Sequence, residues 1–159
     1  MNGTKRIMSF WRSVEWRFPL GIFLLFRFGL WGWMLLVRRL IPPNLFSEEI
    51  VHPYLGIPPE NNALLEIWQR WDVLHYQWIS IHGYSAKNLE PFGPLYPTLI
   101  RWSAHLTGNN TLLAGLIVSN LFCLAAIYAF LSLARMELGT KDHAQQALLY
   151  LVFFPTAFF

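Results

Sequence analysis

Long apolar runs set the pattern of this chain. Residues 18–37 read FPLGIFLLFRFGLWGWMLLV, with one charge, Arg27, near the middle. That is about the length needed to cross a hydrocarbon core, roughly 20 residues. Residues 112–134 read LLAGLIVSNLFCLAAIYAFLSLA and carry no charge. A third run starts near Ala147 and is still apolar at Phe159. A span needs more residues than remain there, and a helix ending in lipid would strand its last carbonyls. The pattern predicts an all-α, multi-span membrane protein cut within its third transmembrane helix. The expected spans are 18–41, 111–135 and the start of a third over 144–159.

The segments between the runs are amphipathic. Ile7, Phe10, Trp11, Val14 and Phe18 recur at helical spacing beside Lys5, Arg6, Arg12 and Arg17. Residues 1–17 are therefore either a basic interfacial helix or a basic tail. The connection over 42–110 opens with Pro42-Pro43, Pro53 and Pro58-Pro59, which break helices. From about Leu64 a helical period returns. Trp68, Trp71, His75, Trp78 and His82 are spaced 3, 4, 3 and 4 residues apart, which places them on one helix face. Gly83 is the expected stop. Leu95–Leu106, LYPTLIRWSAHL, is amphipathic and too short to cross, so it is expected along the outer surface.

Composition agrees with a bilayer. Hydrophobic residues make up 55% and charged residues 13%, against about 25% charged in a soluble domain. The mean hydropathy is +0.35. The net charge of +3 belongs to residues flanking the spans, and no nucleic-acid motif accompanies it. The stretch from Pro42 to Pro94 holds two basic and six acidic residues, a net charge of −4. By the positive-inside rule the N-terminus and the 135–143 turn face the cytoplasm and the long connection faces out. Arg38-Arg39 run against this and are expected to snorkel. Asn109-Asn110-Thr111 is a glycosylation sequon on that outer side.

The candidate chemistry gathers in WQRWDVLHYQWISIHGY, residues 68–84. Asp72 has two readings: an N-cap for a helix beginning at Val73, or a general base made more basic by partial desolvation among aromatic rings. His75 and His82 are metal ligands or hydrogen-bonded structural groups, and no HExxH-type spacing accompanies them. The tryptophans form an interfacial belt or a platform for an isoprenoid or sugar ring. Arg27 at mid-span needs a partner or an anion. Arg101 either snorkels or meets a phosphate at headgroup depth.

Trp71-Asp72, His75-Tyr76, Ile79, Gly83-Tyr84, Phe92, Pro94-Leu95-Tyr96-Pro97 and Arg101 resemble the "WD..HY..I...GY … FFPLYP..IR" signature of PIG-V-like mannosyltransferases. Phe154-Pro155 with Ala157-Phe158-Phe159 is similar to a further stretch of that family. The resemblance implies a GT-C-like fold, a polyprenyl- or dolichyl-phosphate sugar donor, usually of mannose, and a lipid-linked acceptor, in GPI-anchor assembly for the eukaryotic members. It implies inverting transfer and no cofactor. Asp72 would be the base. Trp71, His75, Tyr76, Arg101 and Arg27 would bind substrate, with Arg101 or His75 steadying the departing phosphate. Gly93 departs from the pattern, where a second phenylalanine is usual, and a looser packing beside Pro94 is expected. A fragment of such an enzyme is expected to be inactive alone. The rival expectation is a non-catalytic membrane scaffold, with Asp72 a cap. A transporter fits less well, because those place polar groups in broken spans near the midplane.

Overall fold

A computed structural model describes residues 17–41 and 56–154. The expected helix over 1–16, the prolines at 42, 43 and 53, and the stretch from Pro155 lie outside the described residues. Six α-helices follow in order: α1 (Arg17–Leu40), α2 (Ala63–Glu66), α3 (Asp72–His82), α4 (Leu95–Ala104), α5 (Thr111–Leu138) and α6 (Lys141–Phe153). A 3₁₀ turn, His105–Thr107, extends α4. No strand occurs among the described residues.

Helices α1 and α5 are long and apolar enough to cross a membrane. At 1.5 Å per residue they reach about 36 and 42 Å, beyond the roughly 30 Å of a hydrocarbon core. Only 6% and 17% of their most apolar windows are buried within the protein. Core helices of a soluble domain would be mostly covered. Leu24, Leu25 and Phe28 of α1 and Leu121, Phe122 and Leu133 of α5 are exposed, which is what a lipid solvent permits.

The chain forms two compact units, with boundaries after Leu30 in α1 and after Leu121 in α5. In the first unit, Ile127, Leu131 and Ala134 of α5 meet Ala144, Leu148 and Val152 of α6. Their spacing of three and four residues gives each helix one apolar stripe. Phe18, Ile22, Phe23 and Phe26 of α1 pack against the same core. The α5–α6 hairpin is punctuated locally. Gly139 adopts φ +68°, and its N–H bonds the Arg135 carbonyl. Thr140 then caps α6 by accepting from the His143 N–H.

The second unit, Trp31–Leu121, has an apolar core of Ile100, Ala104 and Ala114 with Tyr76 and Tyr96 against it, and it also buries Gln69, Gln77 and Ser80. Asn62 caps α2 through the Leu64 N–H, and the Asn110 side chain caps α5 through the Leu113 N–H. The helical period expected from Leu64 onward is broken. After α2 the chain turns, and it re-enters a helix only at Asp72. Trp68 and Trp71 are therefore off the α3 face that carries His75, Trp78 and His82. The break buries Gln69, which is 2% exposed. Its Nε2 donates to the Pro58 carbonyl at 3.1 Å and to Gln77 Oε1 at 3.2 Å, while its Oε1 accepts from the Glu60 N–H at 2.7 Å. Gln77 donates to Thr111 Oγ1 at 3.1 Å, and Asn110 donates to Glu60 Oε2 at 2.9 Å. The circuit closes through the Asn110–Thr111 peptide and satisfies polar groups that burial would otherwise penalise.

Arg38 does not simply snorkel. It pairs with Glu66 at 2.6 Å and donates to the Ala63 carbonyl at 3.2 Å.

Candidate active site

Asp72 is the first residue of α3. The residue in the cap position is Trp71, with φ +52° and ψ −130°, and it makes no side-chain capping bond. The cap expected of Asp72 is thus absent: the helix begins one residue earlier than Val73. The Asp72 carboxylate is exposed and has no hydrogen bond or ion pair among the described residues. The desolvation expected from the neighbouring tryptophans is not supplied by packing. The place of Asp72 in the first turn of α3 puts it beside that helix's free N–H groups. The backbone at Trp71 is strained for a side chain of that size, and its ring, 72% exposed, stands beside the carboxylate in sequence.

His75 and Tyr76 follow one turn later, so they share Asp72's side of α3. The imidazole of His75 stacks on Phe92, with centroids 4.6 Å apart and planes 11° apart. Its Nδ1 is buried without a hydrogen-bond partner among the described residues. Tyr76 meets Phe92 edge-on at 5.2 Å and Tyr96 at 4.9 Å. Tyr84 donates its hydroxyl proton to the Phe92 carbonyl. Tyr96 donates to the Gly115 carbonyl at 3.1 Å and shares a 2.8 Å bond with Ser119 Oγ. Burial pushes the pKa of the Tyr96 hydroxyl up; the bond to Ser119 opposes this, and neighbouring Tyr76 adds to the rise. The two halves of the sequence signature are thereby packed onto each other.

Arg101 has other employment than a phosphate. Its Nε donates to the Ser80 carbonyl at 2.7 Å and its Nη2 to the Ile81 carbonyl at 3.0 Å. These are among the last carbonyls of α3, which have no partner within the helix. Gly83, at φ +71°, closes the same end by donating to the Ile79 carbonyl. The carbonyls that hold Arg101 lie about 12 Å along α3 from Asp72, at 1.5 Å per residue. Asp72 and the Arg101 guanidinium are therefore at opposite ends of one helix. Nη1 of Arg101 keeps no hydrogen bond among the described residues.

Arg27 belongs to the other unit. Its guanidinium lies over the Phe23 ring at 5.6 Å, and its Nε is buried without a hydrogen bond among the described residues. Trp78 donates to Ser85 Oγ and tilts against His82. No cluster of three or more His, Cys, Asp or Glu side chains gathers among the described residues. A Cβ added at Gly93 would meet nothing within 4 Å, so the space beside it is open.

Gln69, Gln77 and Glu60 were not singled out by periodicity, although they fix α3 to the start of α5. One signal was present: Gln69 and Gln77 are uncharged polar residues in an aromatic run. The backbone N–H of Asn62 chiefly holds the Glu60 carboxyl below the usual range, and Asn110 adds to this, against some burial.

No family model, curated protein or solved structure matches the chain.

Proposed function

We propose that this chain belongs to a GT-C-like membrane glycosyltransferase related to the PIG-V-like mannosyltransferases. Its outer face would carry Asp72 as general base. The observation that carries this reading is the exposed, unpaired Asp72 carboxylate at a helix N-terminus, inside a signature whose distant halves pack together. In the reaction, the carboxylate takes the proton of an acceptor hydroxyl. The hydroxyl oxygen attacks the anomeric carbon of a polyprenyl-phosphate sugar from the face opposite the phosphate. The bond from that carbon to the phosphate oxygen breaks, and its electron pair leaves with polyprenyl phosphate. The sugar is inverted.

His75 is the better candidate to steady the phosphate, because it sits one turn from Asp72 on α3. Arg101 holds α3 instead. Trp71 is an exposed ring on which a sugar could stack. The proposed topology has the N-terminus in the cytoplasm and residues 42–110 outside or in the lumen. The Arg38–Glu66 pair supports it, since a cation at the outer end of α1 is neutralised there. Modification of exposed Asn109 in a cell that glycosylates would report the same orientation.

Asp72→Asn in membranes of cells carrying the complete reading frame should lower transfer from a radiolabelled polyprenyl-phosphate mannose by about 10²–10⁴, with expression and insertion unchanged. Near-normal transfer would remove Asp72 from the chemistry. One observation favours the scaffold reading: His75, Tyr76, Tyr84, Tyr96 and Arg101 all make intramolecular contacts. On that reading the signature is a packing motif, and no lipid-linked sugar donor supports transfer.

A further inference from the structure

A cavity of about 100 Å³ opens between α3, α4 and the first turns of α5. Its walls are chiefly apolar, with Val73, Ile100, Leu112 and Leu116 prominent among them. Trp68 also lines it, and the Trp68 Nε1–H is buried with no acceptor among the described residues. A buried donor without a partner is costly, and native structures rarely keep one. By volume the space equals about three water molecules. It suits the end of a hydrocarbon chain better than a sugar with its hydroxyls. Its place along the chain narrows the ligand further. Helix α5 is long and apolar enough to cross a bilayer, and the cavity sits at that helix's first turns. In a bilayer that depth is where a hydrocarbon tail joins its polar linkage.

We infer that this cavity binds the linkage region of a membrane lipid: hydrocarbon against the apolar walls, and a linkage oxygen accepting from Trp68 Nε1. That oxygen could belong to a glycerolipid ester or to a polyprenyl phosphate. The inference rests on α5 spanning a membrane and not on glycosyl transfer.

The test uses the 159-residue chain in vesicles. One set contains phosphatidylcholine with a diazirine beside the acyl ester. The other contains polyprenyl phosphate with a diazirine in its first isoprene unit. After illumination, labelled residues are located by mass spectrometry. The expected result is label on Leu112, Leu116 and Ile100 above that on Leu121, an exposed residue of the same helix. Labelling by the first probe, the second or both supports the site and tells which lipid enters. Leu116→Trp and Val73→Phe fill the space from two sides, and both should abolish the excess label while leaving Leu121 labelled. Trp68→Phe keeps a ring but loses the donor, and should lower the excess roughly three- to tenfold. Circular dichroism of each variant separates an emptied site from an unfolded one. Wall label no higher than Leu121 with both probes, or label unchanged in both filled and folded variants, would overturn the inference. Asp72→Asn should label normally, so loss of transfer and loss of the lipid site are separable.

Discussion

The two units hold themselves together by different means. In the first, Leu131 and Leu148 are fully buried and the contacts are methyl against methyl and ring against ring. In the second, apolar packing of Tyr76 and Tyr96 on Ile100, Ala104 and Ala114 is joined by directed bonds that hold α3: Gln69 to Pro58, Glu60 and Gln77, Gln77 to Thr111, and Arg101 to the α3 carbonyls. Apolar packing tolerates replacement by groups of similar volume. A satisfied polar circuit does not, because losing one member strands the others. The difference teaches that replacements within the polar circuit of the second unit should be felt beyond their own volume.

That contrast can be broken in four ways. The largest effect is the one expected of Asp72→Asn on transfer. It should leave the thermal unfolding of the protein in detergent almost unchanged, because the carboxylate makes no bond. A large stability loss would put Asp72 among the structural groups. Next, Leu148→Ala in the first unit should cost about 2–3 kcal/mol in denaturant unfolding. This is the low end for a core leucine, because lipid or detergent tails can enter the space. It should not change transfer once the protein is folded.

Gln69→Leu should cost about 1–2 kcal/mol by stranding the Glu60 N–H and Gln77 Oε1. The Gln69→Leu/Gln77→Leu pair should cost less than the sum of its singles. Additive costs would show that the circuit is not cooperative. The smallest effect concerns pH. The Glu60 carboxyl is held below its ordinary value in the folded protein, so its ionised form stabilises the fold. That contribution is complete above the unfolded value, near 4.3, and is lost as pH falls through the lower folded value. Melting temperatures taken between about pH 6 and pH 3 should fall less steeply in Glu60→Gln than in the parent. Parallel curves would remove Glu60 from the acid limb.

Much of the helical layout was legible along the chain. Apolar length marks α1 and α5, and the segment 95–106 marks α4 with its 3₁₀ extension. Gly83 ends α3, because a glycine there can take φ +71°. The site was legible only in part. The period of three and four residues joined Trp68 and Trp71 to the α3 stripe, and the structure separates them. Period reports what a helix would place on one face, but it cannot report that the chain leaves the helix to bury an amide. Arg101 likewise read as a cation at headgroup depth, because nothing local reveals that α3 ends beside it.

The sequence by itself determined the elements whose causes are local: two apolar stretches long enough to cross a membrane, a turn within 135–143, and amphipathic segments between the runs. The tertiary structure alone decided which polar groups are spent and which are left over. Glu60 and Asn110 meet across 50 residues, and Arg101 reaches Ser80 across 21. Those bonds depend on where distant segments come to rest, and no periodicity encodes that. Asp72 makes no such bond among the described residues, as Glu90, Glu137 and Asp142 also do not.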